Sequence, residues 1–316
     1  MARTIPGLHH VTAICGPPQA NVDFYAGPLR QRLVKKTVNF DAPDTHHLYY
    51  GDRAGSPGTI LTFFPFADAG PGRAGAGMAS AVAYAVPAGG LDAWMMHLAE
   101  RAIDFGGPET RFGERMFALR DPDGLRIELI ESGGAAGANA APASDGFHSV
   151  TLWLRDPEPT ARLLIELFGY EHAGEEADAD AGGRRQRLAT QGGSRGSVID
   201  LLRSDARSVG RQGAGTIHHV AFRAESDEAQ LEWRQRVAAF GLDVTPVIDR
   251  QYFKSIYFRE PGGVLFEIAT DPPGFAADEA PEALGTALKL PPRLEPQRAA
   301  IEARLPPLRL RETGAQ

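Results

Sequence analysis

Short runs in which apolar and polar residues alternate, the period of a half-buried strand, recur along this chain. Each is followed by a run with apolar positions every three to four residues, the period of a helix. The first quarter predicts a strand over 8–14, a helix over 19–33 striped by Val22, Phe24, Tyr25, Leu29 and Leu33, then strands at Lys35–Phe40, His46–Tyr50 and Thr59–Pro65. Asp41-Ala-Pro-Asp44 and Gly55-Ser-Pro-Gly58 supply turns between them. After the Gly/Ala-rich stretch 67–77 the plan repeats, with a strand over 79–86 and a helix over 89–104 marked by Leu91, Trp94, Met95 and Leu98, ending at Glu131. Ser132–Ser144 reads as a linker. The third quarter, Phe147–Leu202, carries a helix near Glu158–Leu167 and a disordered tip at Glu175–Gly183. The fourth, Ile217–Ala269, has a helix over Asp227–Phe240 with Leu231, Val237 and Phe240 as its buried stripe. Residues 272–316, rich in Pro and Arg with a short helical pattern near Glu295–Ala303, read as a tail packed over the domains.

The repetition extends to particular words. Thr216-Ile-His-His-Val-Ala-Phe222 answers Gly7-Leu-His-His-Val-Thr-Ala13, and an altered copy stands at Gly146-Phe-His-Ser-Val-Thr-Leu152. Alignment puts His9, His148 and His218 in one column and His10, Ser149 and His219 in the next, on opposite faces of equivalent strands. Counting from each turn glycine, one further position holds Thr62, Glu128, Asp200 and Glu267. Both glutamates lie in apolar runs, where a carboxylate is costly unless a cation or donor meets it. A ligand-grade histidine and a glutamate coincide only in the fourth quarter, as His219 and Glu267; Glu128 could bind a metal with His10 if the first two quarters shared a cup, but that site would have only one histidine. His148 reads as a core residue, Ser149 and Asp200 as structural remains of a ligand set, and His46 and His47 as packing or pocket-wall residues. Phe63, Phe64 and Phe66 suit either substrate stacking or core packing.

Composition narrows the classes. A chain of 316 residues, 43% hydrophobic, buries a sizeable core and is long enough for about two domains. A formal charge of −7 with no dense basic tract argues against a nucleic-acid binder, the local exception Arg184-Arg-Gln-Arg187 reading as a solvated loop. No stretch has the ~20 apolar residues of a membrane-spanning helix, and the N-terminus lacks a signal-like apolar region. The lone Cys15 fits a reducing compartment, so the expectation is a soluble, cytoplasmic protein.

Taken together, the phrases His9-His10-Val-Thr12, Lys35-Lys-Thr-Val-Asn-Phe-Asp41, Tyr49-Tyr-Gly-Asp52, Ser56-Pro-Gly-Thr-Ile60 and the fourth-quarter set resemble the vicinal-oxygen-chelate superfamily, and within it the ring-cleaving hydroquinone dioxygenases. The resemblance covers nearly the whole chain. It implies an α+β fold of four βαβββ modules (7–66, 77–131, 146–203 and 214–271) forming two cup-shaped mixed sheets with flanking helices. In chain order the modules make an N-terminal pair over 1–131 and a C-terminal pair over 145–271. It further implies Fe(2+) on His10, His219 and Glu267, with Thr12, His218, Arg250 and Tyr257 as catalytic polar residues. The partners are then a small aromatic substrate and O2; homo-oligomerisation stays open. Two histidines and a carboxylate on one face of a metal leave adjacent positions open, the pattern of non-haem Fe(II) oxygenases. O2 would insert beside a hydroxylated ring carbon. Competing readings are a catechol extradiol dioxygenase, a glyoxalase-type isomerase or lyase, which Thr62 in place of a second acid disfavours, and a binding or resistance module, which the intact triad disfavours. Two histidines meet Glu267 only if the first module pairs with the fourth, leaving Ala81 and Ser149 at the ligand column of a metal-free second cup.

Overall fold

A computed structural model of the chain describes residues 3–135, 142–178, 182–191, 195–203 and 209–310. Each module contributes four strands: β1 Leu8–Cys15, β2 Arg32–Asn39, β3 Ala42–Gly51 and β4 Ile60–Pro65; β5 Met78–Ala88, β6 Glu109–Arg111, β7 Glu114–Arg120 and β8 Arg126–Ala135; β9 Phe147–Leu154, β10 Tyr170–Asp178, β11 Gly183–Thr190 and β12 Val198–Arg203; β13 Thr216–Ala224, β14 Ile248–Asp249, β15 Lys254–Arg259 and β16 Leu265–Thr270. They build two eight-stranded mixed sheets, one ordered β14-β15-β16-β13-β1-β4-β3-β2 and the other β10-β11-β12-β9-β5-β8-β7-β6. The first module therefore shares a sheet with the fourth, and the second with the third. Each sheet takes one module from each half of the chain. At the seams β1 runs antiparallel to β13, with Val11 opposite Val220 and Thr12 opposite His219, and β5 runs antiparallel to β9.

Alternation along these strands sends one set of side chains into a single continuous core. Val11, Phe63, Val220 and Phe266 of the first sheet meet Val82, Phe117, Val150 and Leu201 of the second, with Trp94 and Trp233 from the helices. Several helices are shorter than the spacing predicts. The first ends at Tyr25, because Gly27-Pro28 interrupts it before Leu29 and Leu33 can join. The second spans Leu91–Ala99. The third is one α turn, Glu158–Arg162, continued as a π turn over Leu163–Leu167. In the fourth, Asp227–Ala239, Ser226 accepts from the Ala229 amide as N-cap, and the buried face is Ala229, Gln230, Trp233 and Val237. Leu231 lies on the far side, half exposed, and does not belong to the buried stripe.

Two loop readings are corrected as well. Glu175–Asp178 belongs to β10 and pairs with β11, while 179–181 lie outside the described residues. Arg184-Arg-Gln-Arg187 is not a solvated loop: it lies on β11, where Arg185 and Arg187 are buried against Asp200. The expected linker loses its first residues to β8, and 136–141 are outside the described residues. Among the described residues no helix is long and apolar enough to cross a membrane.

The described part of the tail, 272–310, packs over the first sheet. Phe275, Leu284, Leu290, Leu294, Ile301 and Leu305 form a second core with Val34, Val38, Tyr49, Ile60, Ala221 and Ala269 of the first sheet. It also hydrogen-bonds to edge strand β2, the Lys289 amide donating to the Lys36 carbonyl and Thr37 Oγ1 to the Lys289 carbonyl, which covers an edge otherwise open to pairing. Its anchor is Lys35, fully buried, whose ammonium donates to Glu279 (2.5 Å) and Asp278 (2.6 Å) and sits 4.7 Å over the Tyr252 ring. Removing one partner of a buried ion pair leaves charge uncompensated, typically at ~3–5 kcal/mol. Lys35→Met, which keeps the aliphatic stem, is therefore expected to destabilise by about 3–5 kcal/mol in urea unfolding, and Glu279→Gln in that background to recover part of the loss. No change in the unfolding midpoint would show that the tail is held by its apolar contacts alone.

Candidate metal centre

Strands β1, β13 and β16 lie side by side, and their alternation turns His10, His219 and Glu267 to the same face. Among the described residues these three form the one cluster of potential ligands that converges. His219 Nε2 is 2.9 Å from Glu267 Oε2, His10 Nε2 is 3.4 Å from it, and the two Nε2 atoms are 3.4 Å apart. Bonds of ~2.0–2.2 Å meeting at right angles place neighbouring donors ~3 Å apart, so the spacing suits three ligands on one face of a metal.

The hydrogen bonds decide which atoms are bare. His10 Nδ1 lies 2.9 Å from His9 Nδ1, and His219 Nδ1 lies 2.8 Å from His218 Nδ1. Burial, then the neighbouring His10, pushes His9 far below the usual imidazole range, and His9 hydrogen-bonds the Thr270 carbonyl. A neutral imidazole that spends its one N–H on that carbonyl must accept at Nδ1, which assigns the Nδ1 proton to His10 and leaves Nε2 a lone pair. His219 is likewise lowered by burial, although Glu267 pulls the other way, and burial followed by His219 brings His218 to about 4. Burial alone would raise the Glu267 carboxyl; the two histidines beside it overcome this and hold it well below the usual carboxylate range. Ser255 Oγ donates to Oε1 at 2.5 Å, whereas Oε2 has no hydrogen-bond donor. Two imidazole Nε2 atoms and a carboxylate oxygen thus converge in a buried place, an arrangement that a cation among them completes.

Around the triad, Tyr257 is the register neighbour of Glu267 on β15, and its ring lies 5.8 Å from that of His219. Arg250 Nε donates to the Tyr257 hydroxyl at 3.2 Å and Nη1 to Asp41 at 3.0 Å. Burial, then the Glu267 charge, raises the Tyr257 phenol well above its ordinary value. Thr12 Oγ1 lies 3.1 Å from Thr62 Oγ1. All seven residues singled out by sequence therefore gather here. Sequence reasoning missed His9 and Ser255 and separated too little between His46 and His47. His46 faces the tail, donating from Nε2 to the Pro306 carbonyl, while His47 faces the centre. Phe63 belongs to the core, and Phe64 packs 4.3 Å from the His47 ring.

The second sheet answers its acids differently. Glu128 accepts from Arg111 and Arg126, both at 2.8 Å, and Asp200 accepts from Arg187 at 2.8 and 3.1 Å. Glu128 lies in the other sheet from His10, which excludes it as a shared ligand. His148 keeps the module pattern, with Nδ1 3.0 Å from Ser149 Oγ. The same first-column to second-column contact thus survives where there is no ligand to orient.

The family model of the Glyoxalase/Bleomycin resistance protein/Dioxygenase superfamily matches residues 7–129 and 146–268. The chain is 47% identical over 319 residues to MhqO of Bacillus subtilis (strain 168), named a candidate ring-cleaving dioxygenase, covering 99% of each chain. It is 38% identical over 307 residues to a chlorohydroquinone/hydroquinone 1,2-dioxygenase of Sphingobium indicum, covering 92% of this chain and 93% of that one. A crystal structure of a candidate dioxygenase from Bacillus subtilis superposes with a TM-score of 0.91 at 45% identity, covering 98% of this chain and all of that one. Glyoxalase I from Zea mays, at 14% identity and a TM-score of 0.63 over 84% of this chain and 92% of that one, shares the fold.

The spacing of the bare atoms predicts that His10→Ala, His219→Ala and Glu267→Ala each lose bound divalent metal, while Glu128→Ala keeps it. Metal content of the four purified variants checks this; full content in the Glu267 variant would contradict the ligand set.

Proposed function

The chain belongs to the glyoxalase/bleomycin-resistance/dioxygenase superfamily, and from that membership we propose that it is a non-haem Fe(II) dioxygenase cleaving hydroquinone-type rings, with His10, His219 and Glu267 holding the metal. The observation that carries this reading is the convergence of two imidazole Nε2 atoms and a buried carboxylate oxygen within 2.9–3.4 Å. The printed names of the ring-cleaving and hydroquinone dioxygenases among its relatives support the substrate class. Held by these three residues, Fe(II) would supply the chemistry for activating an aromatic hydroxyl and O2. Two histidines and one carboxylate suit that metal, and the lone buried thiol Cys15 accords with the reducing cytoplasm.

The polar residues around the triad then have separate tasks. Tyr257 stays protonated through the neutral range and can donate to oxygen on the ring or exchange its proton, while the Arg250 guanidinium stabilises negative charge developing on its phenol oxygen. His218 orients His219 and remains neutral near pH 7. The glyoxalase-type alternative needs a second acid near Thr62, and that position offers a hydroxyl already engaged with Thr12 and His47.

Oxygen uptake by the iron-loaded protein with methylhydroquinone, catechol and a methylglyoxal–thiol adduct separates the readings. Uptake with the hydroquinone is expected to exceed that with catechol, and consumption of the adduct without O2 would overturn the proposal. Tyr257→Phe is expected to lower kcat by about 10²–10⁴ with unchanged iron content.

A further inference from the structure

Four side chains on three neighbouring strands of the first sheet form a line of hydrogen bonds ending at the metal face. Tyr49 OH lies 2.8 Å from His47 Nδ1, His47 Nε2 lies 2.7 Å from Thr62 Oγ1, and Thr62 Oγ1 lies 3.1 Å from Thr12 Oγ1. Tyr49, Thr62 and Thr12 are buried, so none of their hydroxyls turns freely to water. The His47 ring packs against Tyr49, with centroids 4.0 Å apart at 35°, and against Phe64, 4.3 Å apart at 40°, contacts that restrain its plane. Thr62 occupies the position that Glu267 holds in the fourth module and stands opposite Thr12 in register, and Thr12 stands opposite His219, so the line ends beside the triad. A buried imidazole held neutral has one donor and one acceptor, and it transmits a single polarity from one neighbour to the other.

We propose that His47 is a positioning residue for the reaction at this centre, carrying hydrogen-bond polarity from Tyr49 through Thr62 so that the Thr12 hydroxyl points its proton into the cup toward the oxygen substituents of a bound phenol. This rests on the functional reading above. The direction follows from relative acidity. A phenol donates to an imidazole nitrogen more readily than it accepts from one, which makes His47 Nε2 the donor to Thr62 and frees Thr62 to donate to Thr12. The Thr12 proton then has no acceptor within the line and is available to a ligand. Chains of this kind act as units, because each bond polarises the next.

A double-mutant cycle tests it. His47→Phe keeps the stacked ring and removes both hydrogen bonds, and Thr12→Val keeps the shape and removes the terminal donor. Each single variant is expected to retain its metal and to lose about 10- to 100-fold in kcat, the range of a misplaced catalytic contact, with KM nearly unchanged. The double variant is then no worse than either single one. Tyr49→Phe, the smallest change, is expected to shift kcat in the same direction. Multiplying losses in the double variant, or a His47→Phe loss that only tracks a fall in melting temperature, would overturn the proposal. Thermal melts of metal-free His47→Phe, Thr62→Val and their double variant read the coupling without metal or substrate, the expected result being a shared rather than summed shift. If the wild type oxidises no hydroquinone, the functional reading falls; summed melt shifts, by contrast, overturn the line itself.

Discussion

The structure turns on one unfavourable placement, a carboxylate with no exposure to water whose second oxygen lacks a donor. Glu267 could be tolerated through a guanidinium, as Glu128 is tolerated through Arg111 and Arg126 at the equivalent position of another module. Instead it faces the Nε2 atoms of two imidazoles whose Nδ1 atoms meet a second row of imidazoles. A carboxylate met by arginine is finished electrostatically; one met by bare nitrogen lone pairs needs a cation to complete it. The two cups thus share a backbone and differ in whether their charge is already balanced.

Much of this was legible because duplication supplies an internal control. One histidine in a strand says little, but His10 and His219 at the same step of repeated phrases, with an acid in register, specify a face as well as residue types. The pairing of outer modules was legible by the same reasoning, since neighbouring pairs leave no place with two histidines and Glu267. The topology has that order.

What stayed hidden depended on contacts between distant segments. Ser255 sits in an unremarkable strand, and nothing nearby marks it as the donor to Glu267. His46 and His47 are adjacent and identical in type; their separation into a tail anchor and a neighbour of the metal face requires knowing which side of β3 the tail covers. Helix lengths were overread where apolar spacing continued past a breaker, as at Gly27-Pro28, and Leu231 fitted the apolar composition of its helix while falling outside the angular sector that packs. Arg184–Arg187 looked solvated because its partners, Asp200 and Glu114, come from other strands.

The closure of the first sheet from the two ends of the chain has a consequence for its birth on the ribosome. His10 and His219 are 209 residues apart in sequence, and at ~5–20 residues per second the first waits about 10–40 s for the second to be made. The second sheet joins modules adjacent in the chain, so its strands can pair while the outer sheet still lacks half its members. Assembly is then nested: an inner sheet can complete first, and an early strand, β1, stays without its antiparallel neighbour until β13, Thr216–Ala224, has been made. The centre therefore cannot close before β16 and Glu267 have joined β13 and β1.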